Sequence, residues 1–431
     1  MRVAIATLGC KVNQYDSAVL EKLIGDKGWH RVDFDEQADA YVVNSCTVTD
    51  RADSDSRRLA RRARRTNPKA RVIMTGCYAQ VSPASIAELE YVDYVVGLGR
   101  LGDLLAAVAG EMTETIAVSD LRHARDVATL GISSFSGRSR AFVKVQEGCD
   151  LFCTFCIVPV ARGKSRSVEA RVVLDEIERL AARGFREVVL TGVHLGGYGA
   201  DLDPPVDLAW LLECIAERRP PLRVRISSVD PPELTDRFLD VVADSSLFCP
   251  HFHVPLQSAD DGVLSRMKRR YTAAEAAAAL RRLRDRVGED VCIGTDLLTG
   301  FPGETQQEYA NTAAFLCDLG LSYLHVFPYS QRSSTSAAKR WRPLPDSLVH
   351  ERARQMRELD RDLRSRYRRR FVGRNVRVLF ENRRRPESAS LEGYSEHYLP
   401  VTCDADDRWM NRLAEVRIDG DNGERMTGTL A

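Results

Sequence analysis

Three cysteines in Gly148-Cys149-Asp150-Leu151-Phe152-Cys153-Thr154-Phe155-Cys156 stand in C-x3-C-x2-C spacing. A C-x2-C pair alone is shared by zinc sites and redox motifs. Structural zinc takes four ligands, most often as two short pairs, and the sequence has no second short pair. Three thiolates on one tight loop suit a 4Fe-4S cluster instead: they hold three irons and leave the fourth free of protein ligands. An open iron is a binding place for a chelating small molecule. The bland alternative is three unrelated thiols in a loop, although free cysteines seldom cluster without a ligand role. Phe155 sets an aromatic ring just before the last cysteine, and residues 141–146 read as the strand that delivers the loop.

A second set is dispersed: Gly9-Cys10, Ser45-Cys46 and Gly76-Cys77. Each follows an apolar run, over residues 3–8, 40–44 and 71–75, and a fourth run covers 94–98. Amphipathic stretches at 16–28, 54–66 and 101–109 alternate with them, which predicts a parallel sheet with helices on its faces over residues 1–110. In such a sheet the carboxyl ends of the strands form the ligand crevice, so these three cysteines can converge. Spacing alone leaves two readings open: a second cluster with an open iron, or three thiols at buried strand ends.

Residues 111–139 lack periodicity and read as a connection. Alternation returns over 140–367, with strands at 141–146, 187–190, 223–227, 251–255, 291–297 and 323–327. Six strand–helix units predict an incomplete (β/α) barrel, whose working groups collect at the strand carboxyl ends. Thr191, Gly192, Ser227, Gln257 and Ser258 stand there, as small-molecule contacts or as interior hydrogen bonders. His251 and His253 share a strand face and read as a polar barrel layer ahead of a metal pair. His194 and His325, also near strand ends, are candidates for acid–base work. A charged helix over 346–370 precedes residues 368–431, where five short strands (376–381, 390–395, 398–401, 413–419, 425–430) predict a small β-barrel. OB-like barrels often bind nucleic acid; Tyr394 and Tyr398 either stack bases or fill its interior.

Net charge is +1, so any nucleic-acid contact must come from local patches. Arg57, Arg58, Arg61, Arg62, Arg64 and Arg65 on one helix are such a patch, or a solvated face. Arg162, Lys164 and Arg166, with Arg266, Lys268, Arg269 and Arg270, predict a basic rim for an anionic polymer. No run of 18 apolar residues suggests a membrane span, and the N-terminus reads as a strand, not a signal peptide. The 11 cysteines form no dense framework, which points to the reducing cytoplasm.

The cysteine loop resembles that of the radical S-adenosylmethionine (SAM) superfamily. Thr7-Leu8-Gly9-Cys10-Lys11-Val12-Asn13-Gln14, Asn44-Ser45-Cys46-Thr47 and Thr75-Gly76-Cys77-Tyr78 resemble the N-terminal domain of the methylthiotransferases. Leu391-Glu392-Gly393-Tyr394-Ser395 is similar to the TRAM domain that ends that family's chains. The Gly-Cys-Lys-Val-Asn-Gln wording is closest to the MtaB branch, which modifies N6-threonylcarbamoyladenosine beside the tRNA anticodon. The resemblance implies two 4Fe-4S clusters, one on Cys149, Cys153 and Cys156 and an auxiliary one on Cys10, Cys46 and Cys77. It further implies SAM bound at the open iron, with Phe155 near its adenine and the Thr191-Gly192 turn near its amino group, although the acidic residue usual in that turn is missing here. It implies reductive SAM cleavage to a carbon radical and transfer of a methylthio group to adenine C2. The implied partners are a tRNA anticodon stem-loop, an electron donor of flavodoxin or ferredoxin type and a sulfur donor the sequence does not identify. Rival readings are the same chemistry on isopentenyladenosine or on a ribosomal protein aspartate, and a non-catalytic iron–sulfur RNA-binding protein.

Overall fold

Strand β3 (Ala40–Ser45) has every residue buried, as a central parallel strand covered on both faces must. It lies between β1 (Arg2–Thr7) and β4 (Arg71–Gly76). With β2 (His30–Val32), β5 (Tyr94–Val96) and β6 (Ile116–Ala117) they form a parallel sheet ordered β2-β1-β3-β4-β5-β6. The computed structural model describes residues 1–124, 127, 131–132, 139–384 and 390–431. Two of these strands escape a reading of apolar runs. β2 is a polar edge of three residues, and β6 is a pair within the stretch expected to be a connection. The rest of that stretch lies partly outside the described residues.

The helix Asp50–Thr66 follows β3 and shows why helices start where they do. The Thr49 side chain accepts from the Ala52 amide at 3.2 Å, Asp50 and Asp53 occupy the first turn, and Arg64 and Arg65 the last, each complementing the helix dipole. Thr272 with Glu275 and Thr305 with Glu308 make capping boxes on Ala273–Val287 and Gln306–Asp318.

The central domain is an open barrel. Its strands are β7 (Ala141–Lys144), β10 (Glu187–Thr191), β11 (Arg223–Ile226), β12 (His251–His253), β13 (Cys292–Thr299) and β14 (Tyr323–Pro328). They pair in parallel as β7-β10-β11 and β12-β13-β14, and bridges such as Ser228 to His253 join the halves. The expected strand 141–146 divides, because Gln146–Glu147 (β8) turns to pair antiparallel with Arg166–Ser167 (β9). β12 stops two residues early: beyond it the chain meets β13 through the Gln257 amide and the Asp296 carbonyl at 2.8 Å.

The helix Asp346–Arg369 runs along β14 into a closed five-stranded barrel of β15 (Asn375–Arg384), β16 (Leu391–Ser395), β17 (Pro400–Cys403), β18 (Leu413–Asp421) and β19 (Met426–Leu430), ordered β15-β16-β17-β19-β18. The expected strand 398–401 begins only at Pro400, because Tyr398 adopts φ +62° and turns the chain. A buried ionic knot docks this barrel. Glu187, fully buried, pairs with Arg223 at 2.7 Å and Arg225 at 2.9 Å. Their remaining donors reach the carbonyls of Arg377, Tyr394, Ser395 and Glu396 at 2.8–3.1 Å. No described helix is long and apolar enough to cross a membrane.

Candidate active site

Gly148 starts the cysteine loop at φ +73°, and a Cβ there would overlap the Lys164 carbonyl oxygen, so only glycine allows this crossing. The Cys149 amide then donates to the Gly163 carbonyl at 3.1 Å. Midway along, Thr154 clamps the loop. Its amide donates to the Met267 carbonyl (3.1 Å), its hydroxyl to the Arg266 carbonyl (2.8 Å), and its carbonyl accepts from the Ala337 amide (2.8 Å). Arg269 closes the far side, pairing with Asp230 at 2.9 Å, donating to the Pro255 carbonyl at 2.9 Å and standing 3.5 Å from the Cys153 sulfur. Cys149 is buried; Cys153 and Cys156 are half-buried.

The three strand-end cysteines also converge. Asn13, buried in the first turn of the helix Lys11–Asp26, donates to the Leu8 carbonyl (2.8 Å) and the Ser45 carbonyl (3.0 Å). Its Oδ1 faces the Cys10 thiol at 3.7 Å and the Cys77 thiol at 3.9 Å. Gly9, at φ +102°, lies so close to Cys46 that a Cβ would come within 2.8 Å of the Cys46 Cβ. One amide side chain and one glycine thus gather three strand ends.

A buried arginine connects the two sets. Arg162 lies six residues beyond Cys156 with only 2% of its side chain exposed. Its Nε is 3.3 Å from the Cys77 sulfur, and its other nitrogens reach Asn13 (2.6 Å), Asp16 (3.0 Å) and Glu147. Lys144 bridges Asp16 and Glu147 at 2.9 Å each.

A cavity of about 320 Å³ opens over the cysteine loop. Cys149, Cys153, Cys156 and Phe155 line it, and so do Val48 and Thr49, just past Cys46. Of the other residues singled out from sequence, Gln257 also lines the cavity, held at φ +68°. Thr191, Gly192 and Ser227 stand behind it. The Thr191 carbonyl accepts from the Val145 amide (2.9 Å), Gly192 lies against Gln146, and the Ser227 amide donates to the Leu190 carbonyl (3.1 Å). Their neighbours Val193, His194 and Ser228 face the cavity instead, with Asp230, Arg269 and Asp296. Ser258 is buried against Thr312 at 3.1 Å.

The basic rim needs correction. Arg162 and Arg166 are buried, Arg266 pairs with Glu308 at 2.8 Å, and Arg269 is inside the site; Lys164, Lys268 and Arg270 remain exposed. The helical patch fares better: Arg58, Arg61, Arg62 and Arg65 are exposed, whereas Arg57 and Arg64 are tied to Tyr78 and Asp93. His251 and His253 form the expected polar layer, both on the Tyr323 hydroxyl (2.9 and 3.2 Å). Tyr398 stacks between the two barrels, with its ring 4.4 Å from that of His251 and 5.1 Å from that of Tyr394.

The buried thiols stay protonated until a metal takes the proton's place. Burial pushes the thiols of Cys77 and Cys156 up to about 12 and that of Cys149 to about 11. Thiols so placed become thiolates when a metal displaces the proton. All-sulfur triads on two tight crossings fit iron–sulfur groups far better than hard oxygen-seeking cations. At His194, burial works against the charged imidazole, but hydrogen-bonded Glu233 outweighs it and raises the pKa.

The open six-stranded barrel with its C-x3-C-x2-C loop defines a radical SAM enzyme, and a family model for the radical SAM superfamily matches residues 143–316. A second, described as uncharacterized protein family UPF0004, matches residues 2–97. The fold is shared with the radical SAM methyltransferase TsrM of Kitasatospora setae, at a TM-score of 0.58 and 19% identity over 78% of this chain and 75% of that one. The threonylcarbamoyladenosine tRNA methylthiotransferase MtaB of Bacillus subtilis is 36% identical over 96% of this chain and 93% of its own. That of Aquifex aeolicus is 37% identical over 92% and 98%. A tRNA-2-methylthio-N(6)-dimethylallyladenosine synthase of Clostridium novyi is 28% identical over 100% and 96%. The chain belongs to the MtaB family of radical SAM methylthiotransferases. It is an enzyme of that type, and its cofactors are SAM and 4Fe-4S clusters.

Proposed function

We propose that the protein transfers a methylthio group to C2 of N6-threonylcarbamoyladenosine beside the anticodon of tRNA. The observation that carries this reading is the cavity lined both by the cysteine loop and by Val48 and Thr49 of the segment after Cys46. A base placed there meets the cysteine loop on a surface shared with the segment that directly follows Cys46. In this reading Cys149, Cys153 and Cys156 hold the cluster that binds SAM, and Cys10, Cys46 and Cys77 hold the auxiliary one. When bound, these groups supply the one-electron chemistry and the sulfur and methyl that an unactivated aromatic C–H requires.

The chain's own residues supply position and shelter. Thr154 and Arg269 fix the loop, so that its three sulfurs keep one geometry. Phe155 and Gln257 flank SAM, while Thr191, Gly192 and Ser227 support the wall from behind. Arg162 balances charge beside Cys77 and ties the sites together through Glu147. Val48, Phe152 and Phe327, about half exposed at 50%, 55% and 40%, offer apolar surface for a base. The exposed arginines of Asp50–Thr66 extend from that mouth and suit RNA phosphates. The C-terminal barrel adds a further nucleic-acid surface.

Relatives named for threonylcarbamoyladenosine are nearer in identity than those named for dimethylallyladenosine, which supports the choice of base. The test is nucleoside mass spectrometry of tRNA from a strain lacking the gene. Loss of the 2-methylthio form with accumulation of N6-threonylcarbamoyladenosine is expected. Loss confined to methylthio-dimethylallyladenosine would overturn the assignment.

A further inference from the structure

We propose that His253, Asp296 and His325 form a binding site for a divalent transition metal at the edge of the cavity over the cysteine loop. The proposal is independent of which base the enzyme modifies. The three residues come from neighbouring parallel strands. Asp296 on β13 pairs in register with His325 on β14, and His253 on β12 pairs with Gly294, two residues before Asp296. Residues two apart on a strand share a face, so all three side chains leave the sheet on one side. Gly294 makes room beside them: a Cβ there would overlap the ring of Tyr323, its partner on β14.

His253 Nε2 lies 2.8 Å and His325 Nδ1 3.3 Å from the same Asp296 oxygen, Oδ1. The two imidazole rings are 4.9 Å apart, and one ligand atom from each residue falls within 4.8 Å of the others. Hydrogen bonding alone leaves both carboxylate oxygens open to the two imidazoles; here they converge on one. Ligands about 2.0–2.2 Å from one ion, in a four- to six-coordinate sphere, stand about 2.8–3.6 Å apart, which is the spacing found. The Tyr323 hydroxyl holds the other nitrogen of His253, Nδ1, at 3.2 Å, the outer support that orients a metal-bound imidazole. His251 stays outside the set, with its Nε2 on the same hydroxyl at 2.9 Å. Burial keeps the His253 pKa below its ordinary value against the pull of Asp296. Burial alone would raise the pKa of Asp296, but the two imidazoles outweigh it and hold the carboxyl below its usual range. A neutral imidazole and an ionised carboxylate are the forms that ligate a metal.

The set is open on one side. Side-chain exposure rises from 7% at His253 through 22% at Asp296 to 47% at His325, which gives an ion its way in. Asp296 lines the cavity over the cysteine loop, as does Phe327, two residues beyond His325 on the same strand. Three protein ligands leave at least one position for water or for an oxygen donor of a molecule in the cavity. Asp296 makes no ion pair with an arginine or lysine among the described residues. A second cluster of the same kind, His194, Asp230 and Glu233, is already spent. There Asp230 pairs with Arg269 at 2.9 Å, and Glu233 accepts from the Asp230 amide at 2.8 Å and bonds His194. Two imidazoles with one carboxylate suit zinc or iron(II) better than magnesium or calcium.

The test is zinc uptake by the full-length protein after anaerobic reconstitution with iron and sulfide. Wild type, His325→Ala and Asp296→Ala proteins are dialysed against chelator-buffered zinc, and zinc and iron are measured by mass spectrometry on the same samples. Thermal unfolding verifies that each variant is intact, and the exposed His325 can be removed without opening the core. Wild type should take up about one zinc per chain with no loss of iron. Its zinc absorption-edge spectrum should show nitrogen and oxygen neighbours at about 2.0–2.2 Å and no sulfur at about 2.3 Å. Losing an outer support of a ligand costs about 10- to 100-fold in metal affinity. His325→Ala and Asp296→Ala remove ligands themselves, so each should weaken zinc by at least about 100-fold. A wild-type protein that takes up no zinc would overturn the proposal. So would sulfur neighbours around the zinc, zinc gained only as iron is lost, or an unchanged affinity in His325→Ala.

Discussion

Replacing Arg162 with methionine should cost the protein both stability and its strand-end sulfur site. The guanidinium is 2% exposed and sits among Glu147 and Asp16, with Asn13 at 2.6 Å and the Cys77 sulfur at 3.3 Å. Lys144 alone would then face two carboxylates at 2.9 Å each. The buried cluster falls from two cations and two anions to one cation and two anions. Breaking a buried pair by removing one partner costs about 3–5 kcal/mol, against a typical domain stability of about 5–15 kcal/mol. Asn13 loses one partner of the oxygen that faces Cys10 and Cys77, so convergence of those sulfurs should loosen as well. Urea unfolding monitored by circular dichroism, with iron and sulfide content on the same samples, reads both effects. Arg162→Met should unfold at lower urea and hold less iron, and adding Glu147→Gln should restore part of the stability by removing the uncompensated charge. If Arg162→Met unfolds like wild type and keeps its full iron, the arginine does not hold the two sites together.

Gly148→Ala should abolish the cysteine loop's geometry, because a Cβ would overlap the Lys164 carbonyl oxygen at a left-handed φ; loss of SAM binding with N-terminal iron retained is the expected signature. The docking of the C-terminal barrel should weaken in acid. Burial alone would raise the pKa of Glu187, but Arg225 and Arg223 outweigh it and hold it at about 2. A depressed carboxylate stabilises above its unfolded pKa of about 4.3 and loses that contribution as pH falls toward the folded value. Hydrogen exchange at Tyr394–Glu396 should therefore rise between about pH 4.3 and 2, and Glu187→Gln should show weakened docking at neutral pH. Cys149→Ala should end SAM cleavage, assayed by 5′-deoxyadenosine release, whereas Cys10→Ala should spare cleavage and stop sulfur transfer.

Sequence spacing reveals the chemistry more readily than its supports. Cys149, Cys153 and Cys156 are legible because one short loop carries all three. Cys10, Cys46 and Cys77 are legible by a longer route: each ends an apolar run, and parallel strands bring such ends together. Arg162 and Arg269 read as surface cations because arginine is seldom fully buried. Their partners Asp16, Glu147 and Asp230 are set by tertiary structure, with Asp16 146 residues away from Arg162. The facing of Val48 and Thr49 toward the cysteine loop is a contact between domains and has no local signal. Tyr398 reads as a strand residue, yet its positive φ turns it to the junction between the two barrels. Strands β2 and β6 are too short and too exposed to produce an apolar run.

The central claim is that two cysteine triads hold two separate clusters at one cavity. Its most direct test is Mössbauer spectroscopy with iron and sulfide analysis on anaerobically reconstituted protein. Wild type is compared with a Cys10/Cys46/Cys77 triple alanine variant and a Cys149/Cys153/Cys156 triple alanine variant. The account predicts about eight irons per chain in wild type and about four in either variant, with only the first variant's remaining cluster changing its spectrum on SAM addition. About four irons in wild type and none in the Cys149/Cys153/Cys156 variant would contradict it, leaving Cys10, Cys46 and Cys77 as structural thiols.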